Sequence, residues 1–208
     1  MSTCGDYHWE IEAPVTPARV LFVCTGNLCR SPMAAGLAQA ALGEDGRVVF
    51  RSAGFVKAGR PATREAVKVM AELGVDLSRH RSALVKDAIV SNPDLIICMT
   101  CQHLRSTVDL KPSLLARTFT IAELVDLCDR YGGRDENQPL GDYLEQIGSS
   151  RNLAELSRSS GKGDISDPIG KPLAAYQQCA NELRKLTRSI VGNLWLRSSN
   201  KLINVDEK

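Results

Sequence analysis

The apolar run Val20, Leu21, Phe22, Val23 leads directly into Cys24-Thr25-Gly26-Asn27-Leu28-Cys29-Arg30-Ser31-Pro32. No other junction in the chain constrains the fold as strongly. The run is β-branched and aromatic, enough for one buried strand. Helix signals begin at Ser31, a residue type favoured at the N-cap, and Pro32, whose fixed φ and missing N–H suit the first helical position. Between strand and helix the backbone must curl tightly, and Gly26 and Asn27 are the types that tolerate left-handed conformations. Such a turn aims its N–H groups inward at a helix N-terminus, where partial positive charge favours an anion.

That environment gives Cys24 and Arg30 expected roles. A helix N-terminus and a neighbouring guanidinium favour a thiolate, so Cys24 is the expected nucleophile. The planar fork of Arg30 matches two oxygens of a tetrahedral dianion, which a Lys point charge cannot do. The plainer alternative is a buried Cys at a strand end beside a solvated Arg. The Gly-Asn turn and the Ser-Pro start argue against it.

Strand-like runs at 20–23, 48–51, 94–99 and 117–120 alternate with helical patterns. They predict an α/β fold, an open doubly wound parallel four-stranded sheet with helices on both faces. Helical patterns cover 33–42, 63–73 and 172–196. The composition changes over 129–163, where Leu140, Tyr143, Leu144 and Ile147 recur at helical spacing and Leu153 and Leu156 offer a weaker stripe. This partly helical insertion is expected either as a lid or rim over the site or as a plain surface addition. The expected organisation is a loose arm over 1–18, one domain over 19–197 and a polar tail over 198–208.

A net charge of +2 from 26 basic and 24 acidic residues gives no global field for nucleic acid. A local basic rim of Lys57, Arg60, Arg64, Arg79 and Arg81 is weighed against an ordinary solvated surface. No stretch has the length of apolar residues that a membrane span needs. Seven cysteines, an odd number in a chain with its own core, are expected as reduced thiols in a cytoplasmic protein. The Cys98-x-x-Cys101 spacing is discounted as a zinc site because Cys98 falls in a predicted buried strand.

The segment 20–32 resembles the active-site loop of the low-molecular-weight protein tyrosine phosphatases, bacterial members above all. Ser52-Ala53-Gly54, Gly59-Arg60-Pro61-Ala62-Thr63, His80-Arg81-Ser82, Asp94-Leu95-Ile96-Ile97 and Asp167-Pro168 follow in the family's order. The resemblance spans 19–196 apart from the stretch before Asp167. It implies a hydrolase without metal or other cofactor, acting on a phosphorylated protein through a phosphocysteine intermediate. Cys24 is the implied nucleophile, Arg30 the phosphate clamp and Asp167 the general acid. An Asp-Pro turn is the commoner meaning of that dipeptide, and Asp164 is a rival acid without the proline. The backbone at Thr25, Gly26, Asn27, Leu28 and Cys29 would bind phosphate.

Supporting roles follow the same resemblance. Ser31 would donate to the Cys24 sulfur, while Asn27, Ser52 and His80 would hold the loop, with a surface or capping role the alternative for His80. Cys29 would trap oxidised Cys24 as a disulfide, against simple packing. An aromatic commonly follows Asp-Pro in the family; here Ile169 and Gly170 stand there, which leaves Phe55 and Ile169 as candidate walls for the substrate. Relatives that prefer phosphoarginine carry Thr where this chain has Leu28, so phosphotyrosine is the expected substrate. Protein-arginine phosphatase and arsenate reductase on the same fold are the alternatives. For the latter, Cys101 lies in the right region, but no second cysteine follows within ten residues. A noncatalytic phosphate-binding module is disfavoured because nucleophile, arginine and acid are all present.

Overall fold

In a computed structural model, which describes residues 16–44, 46–149, 151 and 163–196, the opening junction is β1 (Ala18–Cys24) followed by α1 (Arg30–Leu42). The elements that follow are β2 (Val48–Gly54), α2 (Arg64–Glu72), α3 (Val85–Ala88), β3 (Leu95–Cys98) and α4 (Cys101–Leu110). After them come β4 (Thr118–Thr120), α5 (Ile121–Tyr131), α6 (Leu140–Gly148) and α7 (Leu173–Leu194). Short 3-10 turns occupy Ile89–Ser91 and Pro112–Arg117. The first fifteen residues, the polar tail and the Leu153/Leu156 stripe lie outside the described residues. Among the described residues no helix is long and apolar enough to cross a membrane.

The four strands form one parallel sheet in the order β2-β1-β3-β4. Strand alternation splits the core in two. Val20, Phe22, Leu95 and Ile97 face α1, α2, α5, α6 and α7, whereas Leu21, Val23, Ile96 and Cys98 face α3 and α4. Burying each large side chain of this kind stabilises by about 1.5–3 kcal/mol. The winding direction reverses between β1 and β3, so their carboxyl ends open a crevice. The loop after β1 lies there.

Helix α1 begins two residues earlier than its cap signals predict. Its N-cap is Cys29, without a side-chain cap, and Met33 N donates to Cys29 O at 3.0 Å. Ser31 is therefore inside the first turn, its hydroxyl turned toward Cys24 instead of the helix end. Pro32 still sits where no N–H is needed. Helices α4 and α5 have no counterpart in the periodicity reading. The buried face of α4 is Cys101, His103, Leu104 and Thr107, too polar to stand out. Helix α5 carries a legible signal, the capping box of Thr120 and Glu123.

The described part of the insertion is no lid. Tyr143, Leu144 and Ile147 of α6 are buried, and Leu140, Leu144 and Glu145 share a groove with Ala18, Arg19 and Asp94 at the amino ends of β1 and β3, opposite the crevice. Arg151 then plugs the chain down. Its guanidinium binds Glu123 at 2.8 and 3.1 Å, the carbonyls of Leu115 and Thr118 at 3.0 and 2.9 Å, and lies 4.3 Å from the Phe119 ring centre. At the far end of the insertion Asp164 accepts from Cys101 N at 2.8 Å, and Ile165 N donates to Met99 O at 2.9 Å. The chain thereby returns to the carboxyl end of β3.

Register places Gly54 opposite Cys24, and here the chain needs glycine. A Cβ on Gly54 would stand 2.7 Å from Thr25 O and 2.8 Å from Asn27 N, both backbone atoms. Gly26, by contrast, does not have a left-handed φ, and a Cβ there meets only Leu28 at 3.5 Å. Gly54→Ala is expected to lower stability by about 1–3 kcal/mol through overpacking and to distort the loop, whereas Gly26→Ala costs less. Urea unfolding of the two variants measures the difference.

Candidate active site

The loop between β1 and α1 is organised by Asn27. Its backbone is left-handed, at φ 54°, and its side chain is fully buried. Such a conformation suits Asn better than most residues, and every polar atom of this one is engaged. The side-chain amide donates to Ser52 Oγ at 2.8 Å and Ser31 Oγ at 2.9 Å, while Oδ1 accepts from Ala83 N at 2.9 Å. The main-chain carbonyl accepts from His80 Nε2 at 2.8 Å, and the main-chain N–H points to Cys24 Sγ at 3.2 Å. Phe55 N to Thr25 O at 2.7 Å and Thr63 N to Leu28 O at 3.0 Å fasten the loop to the chain beyond β2.

Cys24 Sγ therefore sits between two donors. Because Ser31 Oγ accepts from Asn27, its single proton is left to the sulfur at 3.0 Å and to Ala53 O, farther off at 3.4 Å. Among the described residues, the amides of Gly26, Leu28 and Cys29 have no protein acceptor. They stand at the start of a helix, the arrangement that receives an anion.

Arg30 carries the site's buried cation, with 5% of its side chain exposed. Nη1 donates to Ile165 O at 3.0 Å and Nη2 to Thr25 Oγ1 at 3.3 Å, and Nη2 also pairs with Asp167 Oδ2. The other Asp167 oxygen accepts from Ile169 N at 3.1 Å, and its carboxylate is 40% exposed. The Asp167 segment and the loop after β1 thus meet on one guanidinium. Asp164 is engaged elsewhere, on Cys101 N.

His103, a residue the sequence reading did not single out, completes this network. Its Nε2 lies 2.9 Å from Thr25 Oγ1, its Nδ1 lies 2.8 Å from Thr100 Oγ1, and its ring stacks on Phe55 with centroids 6.0 Å apart. A neutral imidazole protonated on Nδ1 lets each donor meet an acceptor, from Arg30 through Thr25 and His103 to Thr100. Burial, then the positive charge of Arg30, holds the pKa down to about 4, against the pull of Asp164 and Asp167. Burial also lowers the pKa of His80, opposed by its bond to Asn27. The sequence signal for His103 is faint: a His in the first turn of a helix that follows a strand.

Cys29 is buried, with Sγ 3.4 Å from Thr63 Oγ1, and burial pushes its thiol pKa up, opposed by hydrogen bonding to Thr63 and Tyr176. Cys98 is sealed in β3, its pKa pushed up to about 12 by burial. Leu28 departs from expectation: only 5% exposed, it packs into the core instead of facing the mouth. Apolar surface at the mouth comes from Ile169, 49% exposed, and from half-buried Phe55.

Residues 19–136 match the family described as low molecular weight phosphotyrosine protein phosphatase. The chain is 31% identical to a protein-arginine-phosphatase of Geobacillus stearothermophilus, over 82% of this chain and 91% of the relative. It is 37% identical to a probable low molecular weight protein-tyrosine-phosphatase of Ralstonia solanacearum, over 62% of this chain and 87% of the relative. The crystal structure of a low molecular weight protein tyrosine phosphatase from T. tengcongensis superposes with a TM-score of 0.61 at 35% identity, covering 84% of this chain and 97% of the other.

The His103 environment predicts an acid-sensitive fold. The imidazole titrates at about 4 in the native state against 6.5 as its ordinary value. Between those values the unfolded chain binds more protons, so this stabilisation is complete above pH 6.5 and is lost as pH falls toward 4. Its size is at most roughly 3 kcal/mol. Urea unfolding at several pH values is expected to show a shallower acid loss in His103→Gln than in the wild type.

Proposed function

This chain belongs to the low molecular weight phosphotyrosine protein phosphatase family, and from that premise we propose that it hydrolyses phosphotyrosine in proteins through a phosphocysteine on Cys24. The observation that carries the reading is the Cys24 sulfur, held by the Asn27 amide and the Ser31 hydroxyl inside a loop closed by Arg30 and Asp167. Phosphate would lie on the loop amides and on Arg30, and Asp167 would yield its place on the guanidinium to the dianion. Preorganised donors of this kind usually supply the largest part of transition-state stabilisation.

In the first step Cys24 Sγ attacks phosphorus and the bond to the tyrosyl oxygen breaks. The proton of the Asp167 carboxyl group goes to that oxygen. In the second step the Asp167 carboxylate takes a proton from water, whose oxygen attacks phosphorus and breaks the P–S bond. Ser31 then donates to the sulfur as thiolate character returns.

Cys29 supports a protective role in the same loop. A peroxide would convert Cys24 to the sulfenic acid; attack by the Cys29 sulfur on that sulfur forms the disulfide and releases water. Arsenate reduction is the weaker reading, since after Cys101 no cysteine occurs before Cys128, which is buried in α5.

One specific observation favours phosphoarginine as a second substrate: Leu28 is turned into the core, so it gives an aryl ring little to rest on. Phe55 and Ile169 favour the aryl ester, as flanking apolar surface. Matched phosphotyrosine and phosphoarginine peptides decide between them, with higher kcat/KM expected for phosphotyrosine.

The mechanism is tested by two variants. Cys24→Ser is expected to lose turnover while still binding inorganic phosphate. Asp167→Asn is expected to slow phenyl phosphates with poor leaving groups by roughly 10²–10⁴-fold, and activated ones far less. Equal losses across the leaving-group series would place the acid elsewhere.

A further inference from the structure

Five exposed cations, Lys57, Arg60, Arg64, Arg79 and Arg81, stand on the segments that fasten the loop, Arg81 bending back to donate to the carbonyls of Ser78 and His80 at 3.4 and 2.7 Å. Each is one or two residues, or one hydrogen-bonded turn, from a group fastened to the phosphate loop. Lys57 follows Phe55, whose N–H holds Thr25 O, and Arg64 follows Thr63, whose N–H holds Leu28 O. Arg79 and Arg81 flank His80, which holds Asn27 O. Arg60 is laced to that segment: Ser82 N donates to Arg60 O at 2.8 Å, and Ser82 Oγ accepts from Arg60 N at 3.0 Å and donates to Lys57 O at 2.7 Å. The cations therefore stand on a braced frame and not on independent loops.

None of the five is in a salt bridge among the described residues. The acids nearest in sequence are Glu65 and Asp76; Ser78 holds Asp76 through its N–H and hydroxyl at 2.7 and 3.0 Å, and the charge of Arg79 adds a smaller pull on it. In a chain whose net charge is only +2, this concentration beside an anion site is not a general property of the surface. It is also one-sided. In the sheet order β2-β1-β3, the rim follows β2, whereas Asp164, Ile165 and Asp167 return beside β3.

We propose that this rim docks acidic side chains that flank the phosphorylated residue of the substrate, on the β2 side of the bound phosphate. The inference rests on the phosphatase reading above and adds the class of sequence it selects. Exposed charge pairs are individually weak, but several acting together, with steering of an anionic segment toward the loop, raise the rate of productive encounter.

The test compares two phosphotyrosine peptides, identical except that three Glu or three Gln flank the phosphotyrosine on each side, with p-nitrophenyl phosphate as a substrate too small to reach the rim. At low salt the Glu peptide is expected to have about tenfold higher kcat/KM. Near 1 M salt, where the screening length is about 3 Å, the preference should fall below about twofold. The double variant Arg60→Glu/Arg79→Glu should abolish the preference and leave p-nitrophenyl phosphate hydrolysis within about twofold of wild type, since neither side chain touches the loop. Arg184→Glu/Lys185→Glu, exposed on α7, makes the same change in net charge and should keep the preference. Equal kcat/KM for the two peptides in wild type, or a preference that survives high salt or the rim variant, overturns the proposal while leaving the phosphatase reading intact. Failure to hydrolyse any of the three substrates overturns both.

Discussion

One buried side chain, Asn27, holds the site in shape. A fully desolvated amide left without partners would cost several kcal/mol, so its engagement is close to obligatory. Those partners come from four parts of the chain: the loop itself, α1 through Ser31, β2 through Ser52, and the 80–83 segment through His80 and Ala83. Their agreement fixes a left-handed residue at the bottom of the turn, and the neighbouring amides are oriented as a consequence. The geometry around Cys24 is thus a product of tertiary structure, written into a loop too short to impose it alone.

Arg30 plays the corresponding part between the two halves of the site. A buried guanidinium needs acceptors on several sides, and it finds them in Thr25, Ile165 and Asp167, one from the loop and two from the segment that returns 135 and 137 residues later. The Asp167 carboxylate is therefore positioned by the same cation that would bind the phosphate. His103 braces this arrangement from behind through Thr25, and it does so as a neutral ring because its surroundings penalise a second positive charge next to Arg30.

The strands and the order of the sheet's chemistry were legible because β-branched runs and a Gly-Asn turn are local signals. The family resemblance named Asn27, Ser31, Ser52 and His80 as a supporting group, and the structure brings these four together. What local reading missed depends on approach from a distance. Gly54 matters because backbone from the loop after β1 lies against it. His103 matters through a hydrogen bond spanning 78 residues. Ser31 looked like a helix cap because the cap preference is a local propensity, and a buried thiol outcompeted the helix end for its hydroxyl. Leu28 looked like a substrate contact because a loop position does not reveal that its side chain can be swallowed by the core. The cap signal of α5 was present in Thr120 and Glu123; the polar face of α4 was not readable by apolar periodicity.

Arg151, within the insertion, and the Asp164–Ile165 pair, just after it, fasten the chain to the domain independently of each other. The first is pinned to α5 and the turn before β4, the second to the end of β3. Whatever length of chain joins two fixed posts adds a closure cost that grows only with the logarithm of that length. Changes of length between the posts therefore add little to the cost of closing the chain. The fold offers evolution a place to append new sequence within a few residues of Asp167, between anchors whose hydrogen bonds run to α5, to the turn before β4 and to the end of β3.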